Sequence, residues 1–309
     1  MNSIQGADME WDINGVVAEL RAQRIASATS CRQAGPRRKL PSPKILAKVL
    51  DELIAALFPN RLGTTDLSEE GVDYFVGNSL DLTLRELCHQ LRRELTFASP
   101  GGDSADATER AFAIVRAFAA RLPAVRRLLD SDILAAYHGD PAAQSLDEVL
   151  VCYPGVTAGT YHRLAHELHV LGAPLVARII AELAHSATGI DIHPGAQIGG
   201  SFFIDHGTGV VIGESTIIGE RVRFYQAVTL GAKRFEKHES GELIKGAPRH
   251  PIVEDDVVIY AGATVLGRIT IGRGAVIGGN VWVTRSVDPG AHVTQAKIRT
   301  DAFDEGGGI

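Results

Sequence analysis

Three short polar clusters in the C-terminal half carry side chains that could move a proton: Asp191-Ile192-His193, Asp205-His206 and Arg249-His250. A histidine held by a carboxylate is a general base for a hydroxyl. The carboxylate fixes the imidazole tautomer and stabilises the imidazolium formed once the proton is taken. Asp191 and Asp205 are fourteen residues apart, a little under one turn of the repeat described next. Asp191 and His206 are therefore expected to be near neighbours on adjacent turns. A corner histidine bonded to backbone is the alternative that the same spacing allows.

The elements that position these groups follow from a change of period at Gly189. Every sixth residue from Ile192 reads Ile192, Ile198, Ile204, Val210, Thr216, Val222 and Val228. A second run reads Val253, Ile259, Val265, Ile271, Ile277 and Val283, so all thirteen positions but Thr216 are Ile or Val. Hexads led by an aliphatic residue mark a parallel β-helix, in which three short faces close one triangular coil and the aliphatic side chains stack inward. Each such burial contributes about 1.5–3 kcal/mol, enough for the column to hold the prism together. The two runs are one residue out of phase, separated by KRFEKHESGELIKGAPRH. That polar, charged stretch is expected to be a loop extruded from the prism, and long loops in compact repeats are usually functional or disordered.

Upstream the period is helical. Leu53, Leu57, Leu80, Leu84, Leu87 and Leu91 form apolar stripes at three- and four-residue spacing. The alanine-rich stretch 107–121 reads as a helix stopping at Pro123, and 155–185 as a helix pair or one helix interrupted near Gly172-Ala173-Pro174. The fold class is thus α+β and multidomain, an all-helical domain followed by a β-helix with one extruded loop. The expected boundaries are a mobile leader over 1–41, the helical domain over 42–188, the β-helix over 189–290 with its loop at 233–251, and a tail over 291–309. Cys31, Cys88 and Cys152 are odd in number and scattered without a C-x-x-C pair, which points to free thiols in a reducing cytoplasm. A net charge of −6 gives nucleic-acid binding no electrostatic support. No run approaches the roughly 20 apolar residues of a membrane helix.

The runs GIDIHPGAQIGGSFFIDHGTGVVIGESTIIGERVRFYQAVTLGA and RHPIVEDDVVIYAGATVLGRITIGRGAVIGGNVWV closely resemble the serine acetyltransferase family. The likeness extends upstream through Gly139-Asp140-Pro141 and Tyr161-His162-Arg163-Leu164-Ala165-His166, covering roughly 130–290. It implies a left-handed β-helix and transfer of acetyl from acetyl-CoA to L-serine, the first step of cysteine biosynthesis, without an acyl-enzyme or a metal. It makes His206 the general base and Asp191 its orienting carboxylate. Asp140 and Asp205 would receive the substrate ammonium, Arg249 its carboxylate, and His250 would complete the pocket and stabilise the oxyanion. Acetyl-CoA would lie between neighbouring prisms of a homotrimer or dimer of trimers, against Gly231, Ala232, Ala261 and Gly279. The resemblance further implies inhibition by L-cysteine and docking of a tail ending in Ile309 into O-acetylserine sulfhydrylase.

The chain departs from its relatives in a longer loop before Arg249. It also carries Gly155-Val156-Thr157-Ala158 for Gly-Phe-His-Ala, and VTQAKIR where Gly-Val-Pro-Ala is usual. Three other readings compete, one of them a non-catalytic scaffold that only binds the sulfhydrylase, against which the Asp191–His206 dyad argues. An acetyltransferase for another hydroxyl acceptor would not need the Asp140, Asp205 and Arg249 set. A β-helix carbonic anhydrase would need three zinc-binding histidines, and His193, His206 and His250 lack a close pair on the prism. The helical His166-Glu167-Leu168-His169 is not the H-E-x-x-H zinc pattern either.

Overall fold

The computed structural model describes residues 12–30, 39–63, 68–98, 104–234 and 238–295. Met1–Lys39 and Leu40–Ile309 are separate compact units, and among its described residues the first carries one helix, α1 (Ile13–Ser30), with Ile13, Val16, Val17 and Leu20 exposed.

The second unit begins with helices α2 (Pro43–Leu57), α3 (Pro59–Leu62), α4 (Glu69–Ala98), α5 (Ser104–Gly139), α6 (Leu146–Cys152), α7 (Pro154–Val170) and α8 (Pro174–Thr188). Leu53, Leu57, Leu87 and Leu91 are buried in one core with Phe118 and Leu164. The sequence predicts a stop at Pro123, yet α5 runs through it. An interior proline removes one backbone donor and costs about 3 kcal/mol. Phe118, Leu122, Val125, Leu129 and Ile133, all buried on one stripe across the proline, offset that cost. The 155–185 stretch resolves into a pair, with Pro174 opening α8 and Gly189 closing it in the left-handed region at φ 71°. No side chain of its own caps α8. The Glu94 carboxylate of α4 does so, accepting from the N–H groups of Leu175 and Val176, each at 2.8 Å.

Fourteen short strands follow among the described residues: β1 (Asp191–Ile192), β2 (Gln197–Ile198), β3 (Phe203–Ile204), β4 (Val211–Ile212), β5 (Ile217–Ile218), β6 (Arg223–Phe224), β7 (Thr229–Gly231), β8 (Ile252–Val253), β9 (Val258–Ile259), β10 (Thr264–Leu266), β11 (Thr270–Ile271), β12 (Val276–Ile277), β13 (Trp282–Val283) and β14 (His292–Val293). They are parallel and form three faces. The first is β1-β4-β7-β10-β13, the second β2-β5-β8-β11, and the third β3-β6-β9-β12-β14. This is the left-handed β-helix.

The stacking register differs from the straight six-residue reading. Ile192 pairs with Ile212 rather than Val210, and Ile204 with Phe224 rather than Val222. Strand starts are six residues apart along β1–β3, β4–β7 and β8–β13, whereas those of β3 and β4, at 203 and 211, are eight apart. Two surplus residues therefore sit within Asp205-His206-Gly207-Thr208-Gly209. Both inward positions of the hexads are apolar, Thr216 excepted, so the sixfold run passed across the fault unbroken. Val210, Val222 and Val228 are still fully buried, at the second inward position. The loop between β7 and β8 leaves the stack undisturbed, since Ile217 pairs directly with Ile252.

One buried pair joins helices to prism. Arg163 on α7 meets both carboxylate oxygens of Asp132 on α5, at 2.6 and 2.8 Å, and also donates to the carbonyls of Ile198 and Gly199. Asp132 in turn accepts from the Phe202 N–H at 2.9 Å.

Candidate active site

The two surplus residues build the corner that presents His206. Its backbone takes φ 56°, with Gly207 and Gly209 at 85° and 80°. A Cβ at Gly207 would overlap Ile190, so that position requires glycine for space as well as for conformation. Gly209 donates to the Gly189 carbonyl at 2.8 Å, pinning the corner to the end of α8. The His206 side chain is left 71% exposed, with Nε2 4.0 Å from Asp205 Oδ1.

Around this edge, between the third and first faces, lie Asp140, Tyr153 and Arg223. Asp140 accepts from the Tyr153 hydroxyl at 2.5 Å and from the Ala142 N–H at 2.8 Å. These bonds, with the nearby His206 and Arg223 charges, hold its carboxyl below the usual range, so it is an anion at neutral pH. The same bond pushes the Tyr153 hydroxyl up to about 12. Arg223 projects from β6 with its guanidinium 5.2 Å from the Phe203 ring centre. Asp191, the first residue of β1, lies on this edge too. Among the described residues no hydrogen bond or ion pair joins it to His206, and the carboxylate that approaches the imidazole is Asp205. The fourteen-residue spacing takes no account of the enlarged corner. Asp191 instead groups with Glu182 and His185, their ligand atoms within 4.8 Å, the one such cluster among the described residues.

Arg249 and His250 stand elsewhere, on the edge between the first and second faces, with β4 separating them from His206. Arg249 pairs with Glu214 at 2.6 Å. Burial pushes the Glu214 carboxyl up, but the Arg249 bond and charge outweigh it and hold the group below its ordinary value. His250 is 7% exposed, and its Nδ1 lies 2.9 Å from Ser215 Oγ. Burial, then the Arg249 charge, pull the His250 imidazole down to about 4. His193 is lowered chiefly by burial and accepts from the Gly195 N–H at 3.0 Å. The expected acetyl-CoA residues divide between the edges: Ala261 and Gly279 on successive coils of the His206 edge, Gly231 and Ala232 on the His250 edge. A Cβ at Gly279 would come within 3.1 Å of the Ala261 carbonyl. Ile309, and Lys237 of the loop, lie outside the described residues.

Two expected results follow here. The His250 ring lies over Gly213, where an added Cβ would overlap its Cδ2 and Nε2. Gly213→Ala should displace the ring and, on the role the resemblance implies for His250, lower kcat by about tenfold to a hundredfold. A melting curve unchanged within about 1 kcal/mol would show that the loss is local. The second concerns acid. A His250 that protonates at about 4 folded and near 6.5 unfolded adds nothing to pH dependence above 6.5. Below it the unfolded state binds more protons, so stability falls as pH drops from 6.5 towards 4. After discounting for solvent screening the loss is about 1–2 kcal/mol, and His250→Asn should flatten the melting temperature against pH over that window.

A β-helix of hexapeptide coils with a histidine–carboxylate corner defines an acyltransferase. Residues 250–285 match the bacterial transferase hexapeptide family, six repeats. Over 304 residues the chain is 61% identical to the plasmid serine acetyltransferase of Synechococcus elongatus, covering 97% of this chain and 95% of that one. Its fold matches serine acetyltransferase isoform 3 of Entamoeba histolytica, solved in complex with cysteine, with TM-score 0.71, 33% identity and 94% and 96% of the two chains covered. Soybean serine acetyltransferase complexed with serine matches with TM-score 0.53, 30% identity and 84% and 99% coverage. The chain belongs to the serine acetyltransferase family.

Sequence reasoning missed Tyr153, Arg223, Glu214 and Ser215. Glu214 and Ser215 directly follow the corner glycine Gly213, and as a polar pair between aliphatic positions they were open to recognition. Tyr153 and Arg223 reach the site from another helix boundary and another coil, which no local spacing reveals.

Proposed function

We propose that the chain transfers acetyl from acetyl-CoA to the L-serine hydroxyl, giving O-acetylserine and CoA, the first step of cysteine biosynthesis. The observation that carries this reading is the grouping of His206 with Asp140 and Asp205 on one edge, in a chain 61% identical to a serine acetyltransferase. His206 takes the hydroxyl proton as the serine oxygen bonds to the thioester carbon. The C–S bond then breaks, and His206 returns the proton to the leaving thiolate. Asp205 and Asp191 are the carboxylates of this edge that stabilise the imidazolium, and Asp140 with Asp205 receives the substrate ammonium. Arg249 holds the carboxylate and His250 bonds the oxygen that becomes negative. Because those two stand on the opposite edge, one copy supplies His206 and its neighbour Arg249 and His250, in a homotrimer or a dimer of trimers.

Acetyl-CoA fits the groove between copies, lined by Ala261 and Gly279 from one and Gly231 and Ala232 from the other. L-cysteine competes for the same ammonium and carboxylate partners. Cysteine is the ligand in the Entamoeba relative's structure, as serine is in the soybean one. The C-terminal Ile309 docks into O-acetylserine sulfhydrylase. No described helix is long and apolar enough to cross a membrane. With Cys88 and Cys152 as free thiols, we place the enzyme in the cytoplasm.

The test is thiol release from acetyl-CoA by purified protein, with L-serine, homoserine and a simple galactoside in parallel. Release with L-serine alone, suppressed by cysteine, is the expected result. Release only with another acceptor would overturn the roles of Asp140, Asp205 and Arg249.

A further inference from the structure

Ser215, in the corner between β4 and β5, has its hydrogen-bonding capacity fully used. Its Oγ accepts from the backbone N–H of Arg249 at 2.9 Å and of His250 at 3.1 Å, and lies 2.9 Å from His250 Nδ1. A hydroxyl has two lone pairs and one proton. The two N–H groups occupy the lone pairs, so the proton is what faces Nδ1. The Ser215 N–H also donates to Nδ1, at 3.1 Å. Nδ1 thus meets two donors and must be the unprotonated nitrogen. A neutral ring then carries its proton on Nε2. Nε2 has no hydrogen-bond partner among the described residues, so that proton is available to a ligand. Arg268 closes the arrangement, donating to the carbonyls of Ser215 at 2.6 Å and His250 at 3.0 Å.

We infer that Ser215 is a positioning residue for acetyl transfer, fixing His250 as the neutral Nε2–H tautomer that donates to the thioester carbonyl oxygen. The inference rests on the serine acetyltransferase reading above. When the serine oxygen bonds to the acetyl carbon, the carbonyl electron pair moves onto oxygen and the Nε2–H bond to it strengthens. His250 keeps its proton throughout. The pair returns as the C–S bond breaks, and the thiolate is protonated from His206. An imidazolium at 250 would set an Nδ1–H against both donors of Ser215, so a general acid does not fit this corner. The low affinity of this ring for a proton, set by burial and Arg249, agrees.

The first measurement is a long-range proton–nitrogen correlation spectrum of the full-length protein labelled with 15N-histidine, near pH 7 and without substrate. His250→Asn identifies the ring by its missing signals. The expected result is an unprotonated Nδ1 and a protonated Nε2, and the reverse tautomer or an imidazolium would overturn the inference. Ser215→Ala leaves only the backbone N–H of residue 215 on Nδ1, so it should weaken the preference for the Nε2–H tautomer and lower kcat by about tenfold to a hundredfold, with the acetyl-CoA KM within about twofold. Ser215→Thr should restore both. A single unchanged tautomer with unchanged kcat in Ser215→Ala would overturn the assignment. His250→Asn keeps a neutral amide donor and should retain about tenfold more turnover than His250→Ala; equal losses would count against a donor role. The wild-type spectrum and the His250 pair need no folded Ser215 variant. Failure of the tautomer assignment is read in the spectrum, and failure of serine acetylation in the thiol assay, so the two are distinguishable.

Discussion

His206→Ala is expected to lower kcat for serine acetylation by about 10²–10⁴ while leaving the KM for acetyl-CoA within a few-fold. The serine hydroxyl is a poor nucleophile until its proton is accepted as the oxygen bonds to carbon. His206 is the exposed imidazole beside Asp140 and Asp205, 4.0 Å from the latter. Its removal leaves water as the proton acceptor and does nothing to the groups proposed to hold CoA. Since the side chain is 71% exposed, the variant should melt like the parent within about 0.5 kcal/mol. Single-turnover thiol release is the decisive readout. A rate within fivefold of the parent would place the base elsewhere.

The largest stability effect is expected at Arg163. Arg163→Met should destabilise the Leu40–Ile309 unit by about 3–5 kcal/mol, because it leaves the Asp132 carboxylate buried without its partner. Arg163 and Asp132 side chains are 5% and 9% exposed, and the guanidinium also satisfies the carbonyls of Ile198 and Gly199. One carboxylate and two carbonyls would lose a partner together where water cannot replace it. Arg163→Met combined with Asp132→Leu should recover much of the loss, since matched apolar groups avoid the unpaired charge. Urea unfolding of the three proteins reads this directly. Equal stability of the single and double variants would show that the pair contributes packing and little charge.

The prism was legible in the sequence because its physics is local: Ile192, Ile198, Ile204 and the run from Val253 to Val283 repeat one demand, an aliphatic side chain facing inward. The register was not. Val210, Val222 and Val228 satisfy the six-residue rule and are buried, yet the partners of the preceding coil are Ile212 and Phe224. Periodicity reports which side chains turn inward and not which two stack. Pro123 misled for the opposite reason, since its local cost is real but smaller than the burial gained on either side. The candidate site was readable as residue types, in the Asp205-His206 and Arg249-His250 pairs. Their separation onto two edges depends on counting faces, and the hold of Tyr153 on Asp140 joins segments whose proximity only the packed fold creates.

The chemistry proposed for this chain falls where its metre is broken. Asp205 and His206 sit in the corner enlarged by two residues between β3 and β4, and Arg249 and His250 close the excursion between β7 and β8. A perfectly periodic prism would offer solvent three smooth faces with nothing to grip or deprotonate a substrate. Because each coil rests on its neighbours through backbone pairing, a corner can lengthen or shorten without shifting the coil above it, as Ile217 beneath Ile252 demonstrates. Invention in such a protein is therefore separable from architecture. Descendants could trade one corner for another and acquire new substrates while inheriting the same column of aliphatic side chains unaltered.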